Sequence, residues 1–301
     1  MAMAFFNRYF PPLAMKFETG VIRFPFITDL DKIWLPLVGY GMILAISYLI
    51  FFIVERYKLL SQTTTLPSLI YVLLTGGVMM KFGFDALLIS VLVAVLAVGR
   101  LQMAINEPKS NKALYDFGFL ITLSVVVYPK FILLLAWAFG VLFFSGRSTL
   151  KDIMALWLGM LTPPLFVGFY YFWNDGLEKL PSLFMNNLQE GEFIHHLPLP
   201  EFIRLGILLF ILLAALYRLS QKYPVLVVCQ RRGILSLLSM LVFLSLTFLV
   251  IPGNYYDFMY MFAMPLSFLY AYYFLNTRKA LFNNLMFILL LTASVLTWIV
   301  L

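Results

Sequence analysis

Residues 86–104 read ALLISVLVAVLAVGRLQMA, nineteen positions with a single charge, Arg100. The hydrocarbon core of a bilayer, about 30 Å thick, is crossed by about 20 predominantly apolar residues in a helix. This run is of that kind, and it has company on both sides. Working outward, apolar segments lie at 34–54, 66–80, 114–128, 131–146, 153–173, 205–217, 233–251, 257–275 and 282–301, which with 86–104 makes ten. Three of them, 114–128, 131–146 and 205–217, fall short of a full span, the last closed off by Arg204 and Arg218. Short pieces of this sort depend on neighbouring helices, water or local thinning of the bilayer.

The composition agrees with this reading. Hydrophobic residues make up 63% of the 301-residue chain, charged residues 12%, and the mean hydropathy is +0.95. A soluble domain is about half apolar and about a quarter charged. A soluble enzyme, a disordered chain and a secreted disulfide scaffold are therefore excluded. The single cysteine, Cys229, has no partner for a disulfide or a zinc site. The net charge of +7 is a topology signal in a membrane chain rather than a sign of nucleic acid. The expected fold is all-α: one polytopic bundle of about ten transmembrane helices over 34–301, with an outer loop at 174–204.

Charge sets the orientation. Alternating loops place Arg56, Lys58, Arg100, Lys109, Lys112, Arg147, Lys151, Arg218, Lys222, Arg231, Arg232, Arg278 and Lys279 on one side, 13 bases against four acids. The other side carries eight bases and ten acids. By the rule that basic loops stay inside, the first side is cytoplasmic and the C-terminal Leu301 lies outside. Residues 1–33 mix Arg8, Lys16, Glu18, Arg23 and Lys32 with aromatics and prolines, and contain no apolar run of a signal peptide. They read as an interfacial segment on the outer surface.

Charges beside apolar spans are the usual functional candidates in a bilayer. On the outer face these are Asp29 and Asp31, Lys81 and Asp85, Lys130 and Asp257, all at about the same depth. Lysines at a cavity rim suit a phosphate or carboxylate, and an aspartate orients a hydroxyl or accepts its proton. His195 and His196 are adjacent, point apart and have no cysteine nearby, so no metal and no cofactor are expected. The clusters Phe169–Trp173 and Tyr270–Phe274 fall at segment ends and read as interfacial belts. Pro163-Pro164 interrupts 153–173 and is expected to kink it.

Leu66-Pro67-Ser68-Leu69-Ile70-Tyr71-Val72-Leu73-Leu74, Ala113-Leu114-Tyr115-Asp116-Phe117-Gly118-Phe119-Leu120-Ile121 and Tyr128-Pro129-Lys130 resemble an uncharacterised Bacteroidota family of multi-pass inner-membrane proteins, some labelled beta-carotene monooxygenase. The iron chemistry of that label needs several separated histidines, and this chain offers one adjacent pair. More distantly, the order of an acidic residue, Gly118, a short span, Pro129-Lys130, another short span and Arg147 is similar to the membrane half of GT-C-fold glycosyltransferases. That resemblance implies a polyprenyl-phosphate-linked substrate handled at the periplasmic face, with Asp29 or Asp31 as base and Lys81 or Lys130 near the lipid phosphate. The chain departs from the pattern in that the first spanning helix is missing or degraded and an adjacent Asp-Glu pair is replaced by Asp29-Leu30-Asp31. The alternative is a non-catalytic membrane subunit or scaffold of a cell-envelope assembly. A transporter is disfavoured because charges at mid-span are nearly absent. Expected partners are membrane lipid, with polyprenyl phosphate among the candidates, and membrane proteins of an envelope complex, with no nucleic acid.

Overall fold

The computed structural model describes residues 34–60, 62–82, 86–107, 110–189, 199–253, 255–277 and 279–299. The interfacial reading of 1–33, and with it Asp29 and Asp31, lies outside these residues, as do Asp85, His195 and His196. The described chain is all-helical, with no strand. In order the helices are α1 (Trp34–Arg56), α2 (Leu66–Phe82), α3 (Ala86–Asn106), α4 (Asn111–Val127), α5 (Leu133–Ser145), α6 (Leu150–Trp173), α7 (Lys179–Gln189), α8 (Leu199–Lys222), α9 (Val228–Val250), α10 (Tyr255–Asn276) and α11 (Ala280–Ile299). Short 3₁₀ turns at Pro129–Phe131 and Tyr223–Val225 precede α5 and α9. Every apolar segment read from the sequence is a helix, and α7 lies within the 174–204 segment read as a loop. Six helices, α1, α3, α6, α8, α9 and α10, are long and apolar enough to cross a membrane.

Two readings need correction. The segment 205–217 is not short: α8 starts at Leu199 and runs through Arg204 to Lys222. Arg204 and Glu201 are each 1% exposed and 3.5 Å apart, and the Arg204 guanidinium also donates to the Leu74 carbonyl of α2 at 3.1 Å. A charge that ends a span in a hydropathy scan is here paired inside the bundle through its two terminal nitrogens, while its Nε has no hydrogen-bond partner among the described residues. The second correction concerns Tyr270–Phe274. These residues are core, with Tyr270 fully buried and its hydroxyl donating to the Leu208 carbonyl at 2.7 Å. Their helix, α10, packs against α2, α8 and α9 and is 89% buried along its apolar window. A helix that is apolar all round belongs in the interior. The other aromatic cluster behaves as expected of a belt: Phe169, Tyr170, Phe172 and Trp173 are exposed on α6, which is only 22% buried.

The loops sort to two ends. At one end Gln230 donates to the Lys58 carbonyl, Arg218 to the Asn276 carbonyl, and Arg232 lies against Gly146. There Arg147 pairs with Asp152 at 2.8 Å and donates to the carbonyls of Ala104, Glu107 and Ser110. This gathers the loops read as basic. At the opposite end α7 packs on the Pro129–Phe131 turn, and Tyr128 reaches Asp257.

α4 and α6 both begin at the Arg147 cluster and run the same way. They cross at Gly118 and Gly159 with backbones in contact. A Cβ at Gly118 would lie 2.5 Å from the Leu156 carbonyl oxygen, and one at Gly159 would overlap the Tyr115 carbonyl oxygen. Small residues permit such an approach where helices meet in lipid. Gly159→Ala is expected to lower stability by about 1–3 kcal/mol, the usual cost of overpacking. Gly206→Ala in α8, whose Cβ meets nothing within 4 Å, should be neutral or gain up to about 1 kcal/mol. Thermal unfolding in detergent compares the two, and equal effects would contradict the crossing.

Candidate functional site

α4 ends because Tyr128 precedes proline, which disfavours helical backbone at the residue before it. Tyr128 is extended (φ −134°, ψ 91°), and Pro129 opens a 3₁₀ turn with its ring already at a helical φ. The turn buries four consecutive residues at the less basic end of the bundle: Tyr128, Pro129, Lys130 and Phe131. Across from them Gly253 leads into α10, and Asp257 sits in its first turn, where the positive end of the helix dipole favours a carboxylate.

The Tyr128 hydroxyl donates to Asp257 Oδ2 at 2.7 Å. Lys130 is 5% exposed, and its ammonium lies 5.8 Å from the centroid of the Tyr128 ring. The aliphatic stem of Lys130 packs near Gly253, where a Cβ would lie 3.5 Å from Lys130 Cδ. Both Lys130 and Asp257 make further contacts beyond these. A buried ammonium over the ring of a phenol whose hydroxyl is bound to a carboxylate is a set of groups that can hold a phosphate oxygen and a hydroxyl.

This cluster borders an apolar cavity. Phe131 stacks near Tyr128 (4.9 Å between centroids) and meets Phe258 edge-on at 6.3 Å, and Phe258 in turn meets Phe248 at 5.3 Å. Phe248 and Phe258 line a cavity of about 230 Å³ between α8, α9 and α10, together with Leu205, Leu208, Leu212 and Phe262. A second cavity of about 340 Å³ continues toward the basic end and shares Leu212 and Leu241 with the first. The pair forms one groove, because α8 and α9, although joined by a short turn, are splayed apart. Their flanking side chains Leu209, Leu213, Val242 and Leu246 are exposed on the bundle surface. The groove therefore opens sideways.

Of the residues nominated from sequence, Lys130 and Asp257 come together through Tyr128. Lys81 belongs to the last turn of α2, and Asp29, Asp31 and Asp85 lie outside the described residues. Tyr128 was visible only as the residue before Pro129. The Glu201–Arg204 pair carries a sequence signal, opposite charges three apart leading into an apolar run. No cluster of three or more metal-ligating side chains occurs among the described residues.

Comparisons with protein-family models, with curated proteins and with solved structures gave no match.

Tyr128→Phe removes one hydrogen bond to a charged acceptor and leaves the ring packing intact. The expected loss is about 1–2 kcal/mol, read as a lower unfolding midpoint in detergent. An unchanged midpoint would mean that Asp257 does not depend on this contact.

Proposed function

We propose that the protein is a multi-pass protein of the bacterial inner membrane that binds a polyprenyl-phosphate-linked substrate at its periplasmic face. One observation carries the reading: the apolar groove between α8 and α9 meets the buried Lys130 cluster through a shared aromatic wall, Phe131 and Phe258. A prenyl chain is pure hydrocarbon and gains from an apolar groove open to the bilayer. Its phosphate needs a cation at the end of that groove, and Lys130 supplies one. Asp257, held by Tyr128, is placed to accept a hydrogen bond from a hydroxyl beside the phosphate. In this reading all ten apolar helices cross or enter the membrane in a GT-C-like arrangement, and the C-terminus is periplasmic. The gathering of the basic loops at one end supports that orientation. Asp29 and Asp31 remain the proposed bases, with Lys81 and Asp85 as further contacts.

A second reading, a structural subunit of an envelope assembly, is favoured by α6. Trp157, Phe166, Phe169 and Trp173 project from a helix that touches little besides α4. A partner helix would cover that face.

Native mass spectrometry of the protein in nanodiscs supplied with polyprenyl phosphate separates the two. The expected result is a retained polyprenyl-phosphate adduct that weakens about tenfold in Lys130→Gln, the loss of one charge-assisted contact. Equal retention by wild type and variant would overturn the assignment of Lys130. A stoichiometric second protein without the lipid would establish the subunit reading.

A further inference from the structure

The basic end of the groove has features the outer-face reading does not use. Two arginines sit side by side at the start of α9, and they are spent differently. Arg231 closes the hairpin: it donates to the Leu226 carbonyl at 3.0 Å and the Pro224 carbonyl at 2.8 Å, and its guanidinium lies 5.5 Å from the Tyr223 ring centroid. Arg218 and Arg147 are likewise bonded to backbone carbonyls. Arg232 is half-buried and forms no hydrogen bond or ion pair among the described residues.

Its position is fixed by packing. Gly146 caps α5 in the left-handed conformation (φ 72°), and a Cβ there would lie 2.9 Å from Arg232 Cζ. The guanidinium thus lies against the end of α5, two residues beyond Phe144 and one turn before Leu235. Phe144 and Leu235 both line the inner cavity of about 340 Å³, with Leu212, Leu216, Leu238 and Val242. A half-buried guanidinium without an acceptor therefore stands at the mouth of an apolar groove, at the end of the bundle where the loop bases collect.

The geometry points to a binding site for an anionic glycerophospholipid of the inner leaflet, its phosphate on Arg232 and one acyl chain in the groove between α8 and α9. A guanidinium offers paired donors that match phosphate oxygens. The groove suits a chain better than a helix at this end. α8 and α9 are joined by only five residues, 223–227, which include the 3₁₀ turn Tyr223–Val225, so they converge there, whereas a packed partner helix needs about 8–10 Å between axes. Arg232 stands at the end of the groove opposite Lys130, and the site does not rest on the polyprenyl-phosphate reading.

The test is native mass spectrometry of the full chain in neutral detergent, titrated separately with phosphatidylglycerol, phosphatidylcholine and inorganic phosphate. Phosphatidylglycerol is expected to be retained by wild type and about fivefold less by Arg232→Gln. Lys112→Gln removes the same charge from an exposed position at the same end and should leave retention unchanged. Leu238→Trp fills the groove without altering charge and should also lower retention, which keeps the test decisive if Arg232→Gln fails to fold. An equal fall in Lys112→Gln would overturn the site in favour of diffuse surface charge. Retention of phosphatidylcholine as strong as that of phosphatidylglycerol would overturn the role of Arg232. Displacement of phosphatidylglycerol by millimolar inorganic phosphate would make this a free-anion site and overturn the lipid. Arg232→Gln and Lys112→Gln lie away from Lys130 and from the cavity linings, so binding of polyprenyl phosphate to these two variants reports independently.

Discussion

The Arg147 guanidinium reaches five groups: the Asp152 carboxylate, the Asn111 side chain, and the carbonyls of Ala104, Glu107 and Ser110. It is 4% exposed, and its partner Asp152 is also held by the Thr149 hydroxyl at 2.6 Å. A buried pair of this kind adds little net stability over an apolar replacement, yet losing one partner costs about 3–5 kcal/mol. Its effect is to specify geometry. The end of α3, the start of α4, the end of α5 and the start of α6 must all meet at one point. Once they do, α4 and α6 leave in the same direction, and Gly118 and Gly159 bring their backbones into contact a few turns later. α5, which joins them in sequence, has to return to the starting end, which sets the Pro129–Phe131 turn, and with it Lys130, at the opposite end.

The remaining helices are organised around α10, which fills the centre with aromatic and methionine side chains. α2 and α8 pack on it, and α8 is tied to α2 by the Arg204 bond to the Leu74 carbonyl. The Ser294 hydroxyl of α11 donates to the neighbouring Leu73 carbonyl. α9 goes elsewhere: Trp137 of α5 donates to Ser236 and Ser239 and draws it toward α5. With α8 held by α2 and α10 and α9 held by α5, the two sequence neighbours separate and leave the groove between them. One end of it meets the Lys130 cluster through Phe131 and Phe258, and the opposite end lies near Arg232.

Much of this was legible from residue order alone. Ten apolar runs became ten helices, because a chain in lipid must satisfy its backbone within each segment, and charge alternation sorted the loops to two ends. What failed to show had a common cause, dependence on long-range partners. Arg204 looked like a boundary because its acceptors, Glu201 and a carbonyl of α2, are visible only in three dimensions. Tyr270–Phe274 looked like a belt because the same residues suit an interface or a core, and only the packing of α10 decides. Lys130 and Asp257 were legible as charges of one face at similar depth, but 127 positions of chain separate them and nothing local announces that Tyr128 joins them. The groove was least legible of all, since it arises where two helices do not touch.

The central claim is that α8 and α9 stand apart around a lipid chain whose head lies beside Lys130. An experimental density map of the protein in lipid nanodiscs tests it most directly. The account expects elongated density between α8 and α9, running along Leu212 and Phe262 and ending next to Lys130 and Tyr128. α8 and α9 packed directly against each other, or a groove filled by side chains of this chain, would contradict it.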